Sequence, residues 1–214
     1  MRILQPSYCY PSPGSPFWDT IFAHDTSRLE CVLNPANGPG FDVEPNYAWI
    51  IRKLRQRTIP ILGYVATTYG NKPIADVQKE IAMWSGLYAV ADIFLDEVSA
   101  EIDKLSYYQN IYGSARGRIV NNPGTVPGYE FSKCGDITIT AECGLDDYLR
   151  LKLPDSLKGR KDSAHIVHGV RNEGAMRKVV GLARKRASYV YCCDSSDYDT
   201  LPNYYPAFVK EVSR

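Results

Sequence analysis

Three acidic residues stand where short apolar runs end. Asp96 and Glu97 close Ile93-Phe94-Leu95-Asp96-Glu97, and Glu142 closes the run from Asp136. Carboxylates crowded into a partly apolar pocket repel one another, which lifts one pKa and lets that group hold a proton near neutral pH. That pairing is what hydrolysis of a glycosidic bond requires. One acid protonates the leaving oxygen, and a second carboxylate attacks or guides the attacker. The same spacing also fits a structural role, with Asp96 capping a helix and Glu97 and Glu142 solvated in loops. Other reactive groups are isolated. His168 ends another apolar run, and His24 and His165 have no partner by spacing. No G-x-S-x-G is present to form a nucleophile elbow. Asp194-Ser195-Ser196-Asp197 lacks the glutamate spacing of a calcium loop and reads as a polar turn.

The elements that must position these groups alternate along the chain. Strands are expected at Ile3–Tyr10, Leu29–Asn34, Ile59–Thr67, Ala91–Glu97, Gly117–Asn121, Asp136–Glu142, Ala164–Gly169 and Ser188–Cys193. Helices are expected at Pro45–Arg57, Ile74–Leu87, Glu101–Tyr112, Glu173–Arg186 and Leu201–Val212, several with apolar residues at helical spacing. Parallel neighbours need crossovers, so this alternation implies a parallel sheet. Eight strands close an α/β barrel of the (β/α)₈ TIM type, and 214 residues make it a compact one beside the usual size of about 250. The stretch Gly124–Gly135 offers no good helix, so the fifth crossover is the weak one. An open doubly wound sheet would show a glycine-rich phosphate loop after its first strand, and none is present. No linker divides the chain, and residues 1–214 read as one barrel domain.

In such a barrel the site lies at the C-terminal ends of the strands. Strand alternation there turns Asp92, Phe94 and Asp96 inward, and likewise Asp136, Thr138, Thr140 and Glu142, with Ile137, Ile139 and Ala141 outward. Asp96, Glu97 and Glu142 become the candidate catalytic residues. Tyr8, Asn34, Tyr64, Tyr69, Asn121, His168 and Asp194, at or just past strand ends, become candidate substrate-binding residues.

Composition narrows the partners. Twenty-five Lys and Arg against 24 Asp and Glu give a net charge of +1, which disfavours nucleic acid. No apolar run reaches the roughly 18 residues of a membrane helix, and the first six residues are too short for a signal peptide. As it stands, the chain is expected in the cytoplasm. The six cysteines show no C-x-x-C pair or zinc spacing, so no metal or cofactor is expected. Most should be free thiols, with Cys9 to Cys192 or Cys193 the one bridge left open. Sixteen tyrosines, each with an apolar ring and a polar tip, suit surfaces that stack on ligands.

Several segments together resemble the spherulin-4 (spherulation-specific family 4) proteins. They are Tyr8-Cys9-Tyr10-Pro11 followed by Trp18, the loop Asn34-Pro35-Ala36-Asn37-Gly38-Pro39-Gly40, the stretch Leu62-Gly63-Tyr64-Val65-Ala66-Thr67-Thr68-Tyr69-Gly70, Ile93-Phe94-Leu95-Asp96-Glu97, and Asn122-Pro123-Gly124-Thr125. The match keeps the family's order from residue 8 to about 194. The resemblance implies a (β/α)₈ barrel and an endo-acting glycoside hydrolase. Its relatives, often extracellular, cleave α-1,4-linked N-acetylgalactosamine in galactosaminogalactan-type polysaccharide. It also implies catalytic acids at Asp96, Glu97 and Glu142, and a polysaccharide or oligosaccharide partner. The alternative is a non-catalytic carbohydrate-binding or spore-associated protein that keeps the cleft.

Overall fold

The computed structural model describes residues 1–154 and 162–214. Among them, eight parallel strands close a barrel in sequential order: β1 (Arg2–Pro6), β2 (Leu29–Leu33), β3 (Ile61–Ala66), β4 (Asp92–Asp96), β5 (Ile119–Asn121), β6 (Ile137–Gly144), β7 (Ser163–His168) and β8 (Tyr189–Cys192). Pairing of Arg2 with Tyr189 and of Ile3 with Val190 closes the ring. Around it run α1 (Pro16–Phe22), α2 (Pro45–Gln56), α3 (Ile74–Tyr88), α4 (Leu105–Ser114), α5 (Leu145–Arg150), α6 (Glu173–Ala183) and α7 (Tyr205–Ser213). No helix of the described residues is long and apolar enough to cross a membrane. All six cysteines are free.

Helix starts follow from local chemistry. Glu44 accepts the amide of Tyr47 at 2.8 Å and Pro45 opens α2, where its missing N–H costs nothing. Asn172 caps α6 through the amide of Ala175. Two short helices lie outside the set expected from sequence. α1 buries Phe17, Trp18 and Ile21 within seven residues, and α5 buries Tyr148 within six, too short for a helical period to be visible. The fifth crossover carries only a 3₁₀ turn over Tyr129–Lys133, anchored by buried Phe131 against Tyr108.

Facing is fixed by one close approach. A Cβ on Gly63 would lie 2.3 Å from the Trp84 ring of α3, so Gly63 faces the helices and Tyr64 the barrel interior. Register carries that face onward through Tyr64↔Phe94, Phe94↔Val120 and Val120↔Ile137. Trp84 also donates Nε1–H to the Tyr64 carbonyl at 2.9 Å. Gly63→Ala should therefore cost about 1–3 kcal/mol by overpacking, read as a lowered urea midpoint; an unchanged midpoint would show that α3 can shift freely.

This face corrects the expected inward set on β6. Ile137 and Ile139 point inward, while Thr138, paired with outward Asn121, points to the helices. A register shift between Ile139 and Ala141 makes Thr140 an extra residue and returns Glu142 to the inner face beside Ile166.

The N-terminal end is closed by charge. Glu30, 2% exposed, accepts Arg2 Nε at 2.8 Å and Arg118 Nη2 at 3.0 Å. Arg118 also holds Asp92 at 2.8 Å. Asp92 is thus spent on sealing the barrel floor, leaving the opposite mouth for Asp96.

Candidate functional site

Asp96 ends β4 and Glu142 lies near the end of β6, and one side chain joins them. Asn122 Nδ2 donates to Asp96 Oδ1 at 2.8 Å and to Glu142 Oε2 at 2.5 Å. The two carboxylate oxygens therefore lie within the sum of those lengths, about 5.3 Å, of each other. Their outer oxygens accept phenols. Tyr64 OH donates to Asp96 Oδ2 at 2.8 Å, and Tyr198 OH donates to Glu142 Oε1 at 2.6 Å. The Tyr8 ring stands between those two tyrosines, edge-on to each at a centroid distance of 5.9 Å. Tyr64, Asp96, Asn122, Glu142, Tyr198 and Tyr8 thus form a closed circuit across the mouth.

The phenols are fixed as donors. Burial, reinforced by Asp96 and Glu142, pushes the pKa of Tyr8 well above its ordinary value. Burial and Asp96 raise that of Tyr64, and burial and Glu142 that of Tyr198. All three stay protonated at neutral pH, so Asp96 and Glu142 receive neutral hydrogen bonds and no counter-charge from them. The Tyr8 hydroxyl has no hydrogen-bond partner among the described residues.

Glu97 is held differently. Its backbone sits at φ 51°, a conformation that costs a non-glycine residue about 1–3 kcal/mol and must be imposed by its surroundings. Tyr69 N and Thr67 Oγ1 both donate to the Glu97 carbonyl at 2.7 Å. Thr68 and Tyr69 share the same unusual backbone, at φ 50° and 53°. The loops after β3 and β4 thus brace each other. The Glu97 carboxyl, half-buried, has no hydrogen-bond partner among the described residues and lies close enough to Tyr64 for its charge to join burial and Asp96 in raising that phenol's pKa.

The remaining candidates are dispersed. Tyr69 is 56% exposed on the braced loop beside Glu97. His168 is half-buried on the inner face, in register with Gly144 and near it. Asp194 is exposed just past β8. Asn34 is committed locally, its Oδ1 accepting the Gly38 amide at 2.9 Å to close the loop after β2. Asn121 does not reach the mouth. It is buried on the outer face and donates Nδ2–H to the Cys134 carbonyl at 2.9 Å. Strand parity, counted from inward Val120, selects Asn122 instead. Tyr198 follows β8 on a loop at φ 57°, where no strand pattern could mark it. Ser195 and Asp197 bond each other in a polar turn, as expected.

The model of the Spherulin4 family, described as spherulation-specific family 4, matches residues 2–212. The chain belongs to this family. Spherulin-4 of Physarum polycephalum is 32% identical to it over 136 residues, which are 59% of this chain and 40% of that relative. The chain therefore aligns with well under half of that protein. Among solved structures, Aspergillus clavatus Sph3 in complex with GalNAc superposes with a TM-score of 0.84 at 26% identity, covering 100% of this chain and 97% of Sph3. This family member thus shares its whole barrel with a protein crystallised with an amino sugar.

Proposed function

We propose that the chain is a glycoside hydrolase that cleaves amino-sugar polysaccharide, of the α-1,4-linked N-acetylgalactosamine or galactosamine type, within the polymer. The observation that carries this reading is the convergence of Asp96 and Glu142 on one Asn122 amide, with Glu97 next to Asp96 in the chain. Glycoside cleavage passes through an oxocarbenium-like state, and paired carboxylates stabilise its positive charge. Glycosidase carboxyl pairs lie about 5–10 Å apart, and the nearest Asp96 and Glu142 oxygens, no more than about 5.3 Å apart, stand at or below the close end of that scale. The likeness to Sph3 in complex with GalNAc supports the choice of sugar.

Hydrogen-bond occupancy divides the roles. Glu97, without an internal partner, is the general acid that protonates the leaving oxygen. Asp96, gripped by Tyr64 and Asn122, accepts the N–H of the substrate's 2-acetamido group and so fixes the sugar, since that group shares a ring face with an α-linked leaving oxygen and cannot displace it from behind. Glu142 then guides water or binds the sugar. On the rival route Glu142 is the nucleophile, Glu97 the acid and base, and Asp96 the group that tunes it. Tyr8 and Tyr69 offer ring faces or edges to sugars, and His168 and Asp194 line the approach.

Incubating the purified protein with N-acetylated and with deacetylated α-1,4-galactosamine polymers should release an oligosaccharide series, read by mass spectrometry. Tight binding of polymer with no products would overturn the hydrolase and favour the sugar-binding alternative.

A further inference from the structure

We infer that Thr140, backed by His165 and Tyr148, is a positioning device that aims Glu142 into the mouth. The inference rests on the proposed role of Glu142 there. It starts from register. Thr138 pairs with Ser163 and Ile139 with Ala164, but the next pairs are Ala141 with His165 and Glu142 with Ile166. Thr140 has no partner across the ladder. Side chains alternate along a strand, so were Thr140 paired in the ladder, Glu142 would share the face of Thr138. That face looks to the helices, as its neighbour Asn121 does. The bulge thus decides whether Glu142 reaches Asn122 and Tyr198 or is lost behind the sheet.

A bulge breaks ladder pairing, so something must hold it. Thr140 is 1% exposed, and its Oγ1 lies 3.1 Å from His165 Nε2. His165 is fully buried, and its Nδ1 lies 2.7 Å from Tyr148 OH. Tyr148 belongs to α5, the helix that follows β6, and its ring meets the imidazole edge-on at 5.4 Å. A chain of three hydrogen-bonding groups therefore runs from the extra residue, across β7, to the helix. None of the three is part of the circuit at the mouth. Burial keeps the imidazole neutral, lowering its pKa to about 4, so one ring nitrogen donates and the other accepts. Two hydroxyls, each able to do either, complete the chain. Thr is a small β-branched residue that suits a strand and supplies such a hydroxyl.

The test compares Thr140→Val, which keeps the shape and deletes the hydroxyl, with Thr140→Ser, which keeps the hydroxyl. Tyr148→Phe, which removes the far anchor, is the second variant should Thr140→Val fail to fold. Glu142→Gln is the reference. In Thr140→Val and Tyr148→Phe, crystal structures should show the Glu142 carboxylate off Asn122 and Tyr198. Turnover should fall about 10–100-fold, the cost of slight misplacement at a reacting centre, with KM nearly unchanged. Thr140→Ser should restore both. If Glu142→Gln leaves turnover intact, the proposed role of Glu142 fails, and the crystal structures alone still decide the positioning. A folded Thr140→Val or Tyr148→Phe protein with Glu142 in place and wild-type kcat overturns the inference, whatever Glu142→Gln does.

Discussion

Glu97→Gln is expected to lower turnover on an α-1,4-galactosamine polymer by about 10²–10⁴-fold, the usual worth of general acid catalysis. The substitution keeps the volume and removes the transferable proton. Its consequences for folding should be small, because the Glu97 side chain makes no hydrogen bond among the described residues. The interactions that impose its backbone, from Tyr69 N and Thr67 Oγ1, go to its carbonyl and survive the change. Both catalytic routes give Glu97 the same proton, so near wild-type turnover in Glu97→Gln would sink both. Asp96→Asn and Glu142→Gln then separate them. Loss of Asp96 should matter most on substrates that carry the acetamido group if Asp96 holds that group. Loss of Glu142 should abolish turnover on every substrate if Glu142 attacks. The structure adds a caution to reading Asp96→Asn, since the new amide would also meet Asn122 Nδ2 and Tyr64 OH, two donors that need an acceptor.

Strand order was legible because each strand is an apolar run ended by polar residues, and because parallel pairing follows from alternation with helices. Asp96 was legible for the same reason, since β4 keeps strict alternation from Asp92 through Phe94. Glu142 was reached by a pattern that does not hold. Simple alternation over β6 put Thr138 and Thr140 inside with it, whereas the barrel keeps Ile137 and Ile139 inside and uses one extra residue to recover Glu142. A bulge leaves no mark in composition, because Thr140 is an ordinary strand residue. Asn121 against Asn122 is the converse case. Asn121 ends β5 and Asn122 follows it, and only the parity set by Gly63 against Trp84, two strands away around the ring, tells which one faces the mouth. Tyr198 was out of reach, because its place depends on how the chain folds back after β8 to set its carbonyl 3.1 Å from the Tyr8 amide.

Stability should fall as pH drops from 7 to 4, with His165 alone contributing about 3 kcal/mol of the loss. Burial first, and then the positive charge of Arg186, lower the folded pKa of His165 from 6.5 to about 4. Arg186 lies over the Tyr148 ring, 5.6 Å from its centre, on the same side of the sheet. In the unfolded chain the imidazole takes up a proton near its ordinary pKa of about 6.5. Between those two values the unfolded state binds more protons than the folded state, so stability is fully present above about 6.5 and drains away as pH approaches 4. Loss of hydrogen bonds is not the reason. A protonated ring can donate to both Tyr148 OH and Thr140 Oγ1, and both hydroxyls can accept. The cost is a second positive charge in a dry site beside Arg186. His165→Gln keeps a donor and an acceptor there and cannot titrate. Urea unfolding of the two proteins at pH 7 and pH 4 isolates the term, because every carboxylate that titrates in that range is common to both. The wild type should lose about 3 kcal/mol more than His165→Gln, equivalent to roughly 6–12 °C in Tm for a chain of this size. Parallel losses in the two proteins would mean that His165 meets solvent as the pH falls, and that the anchor behind the Thr140 bulge is looser than its burial indicates.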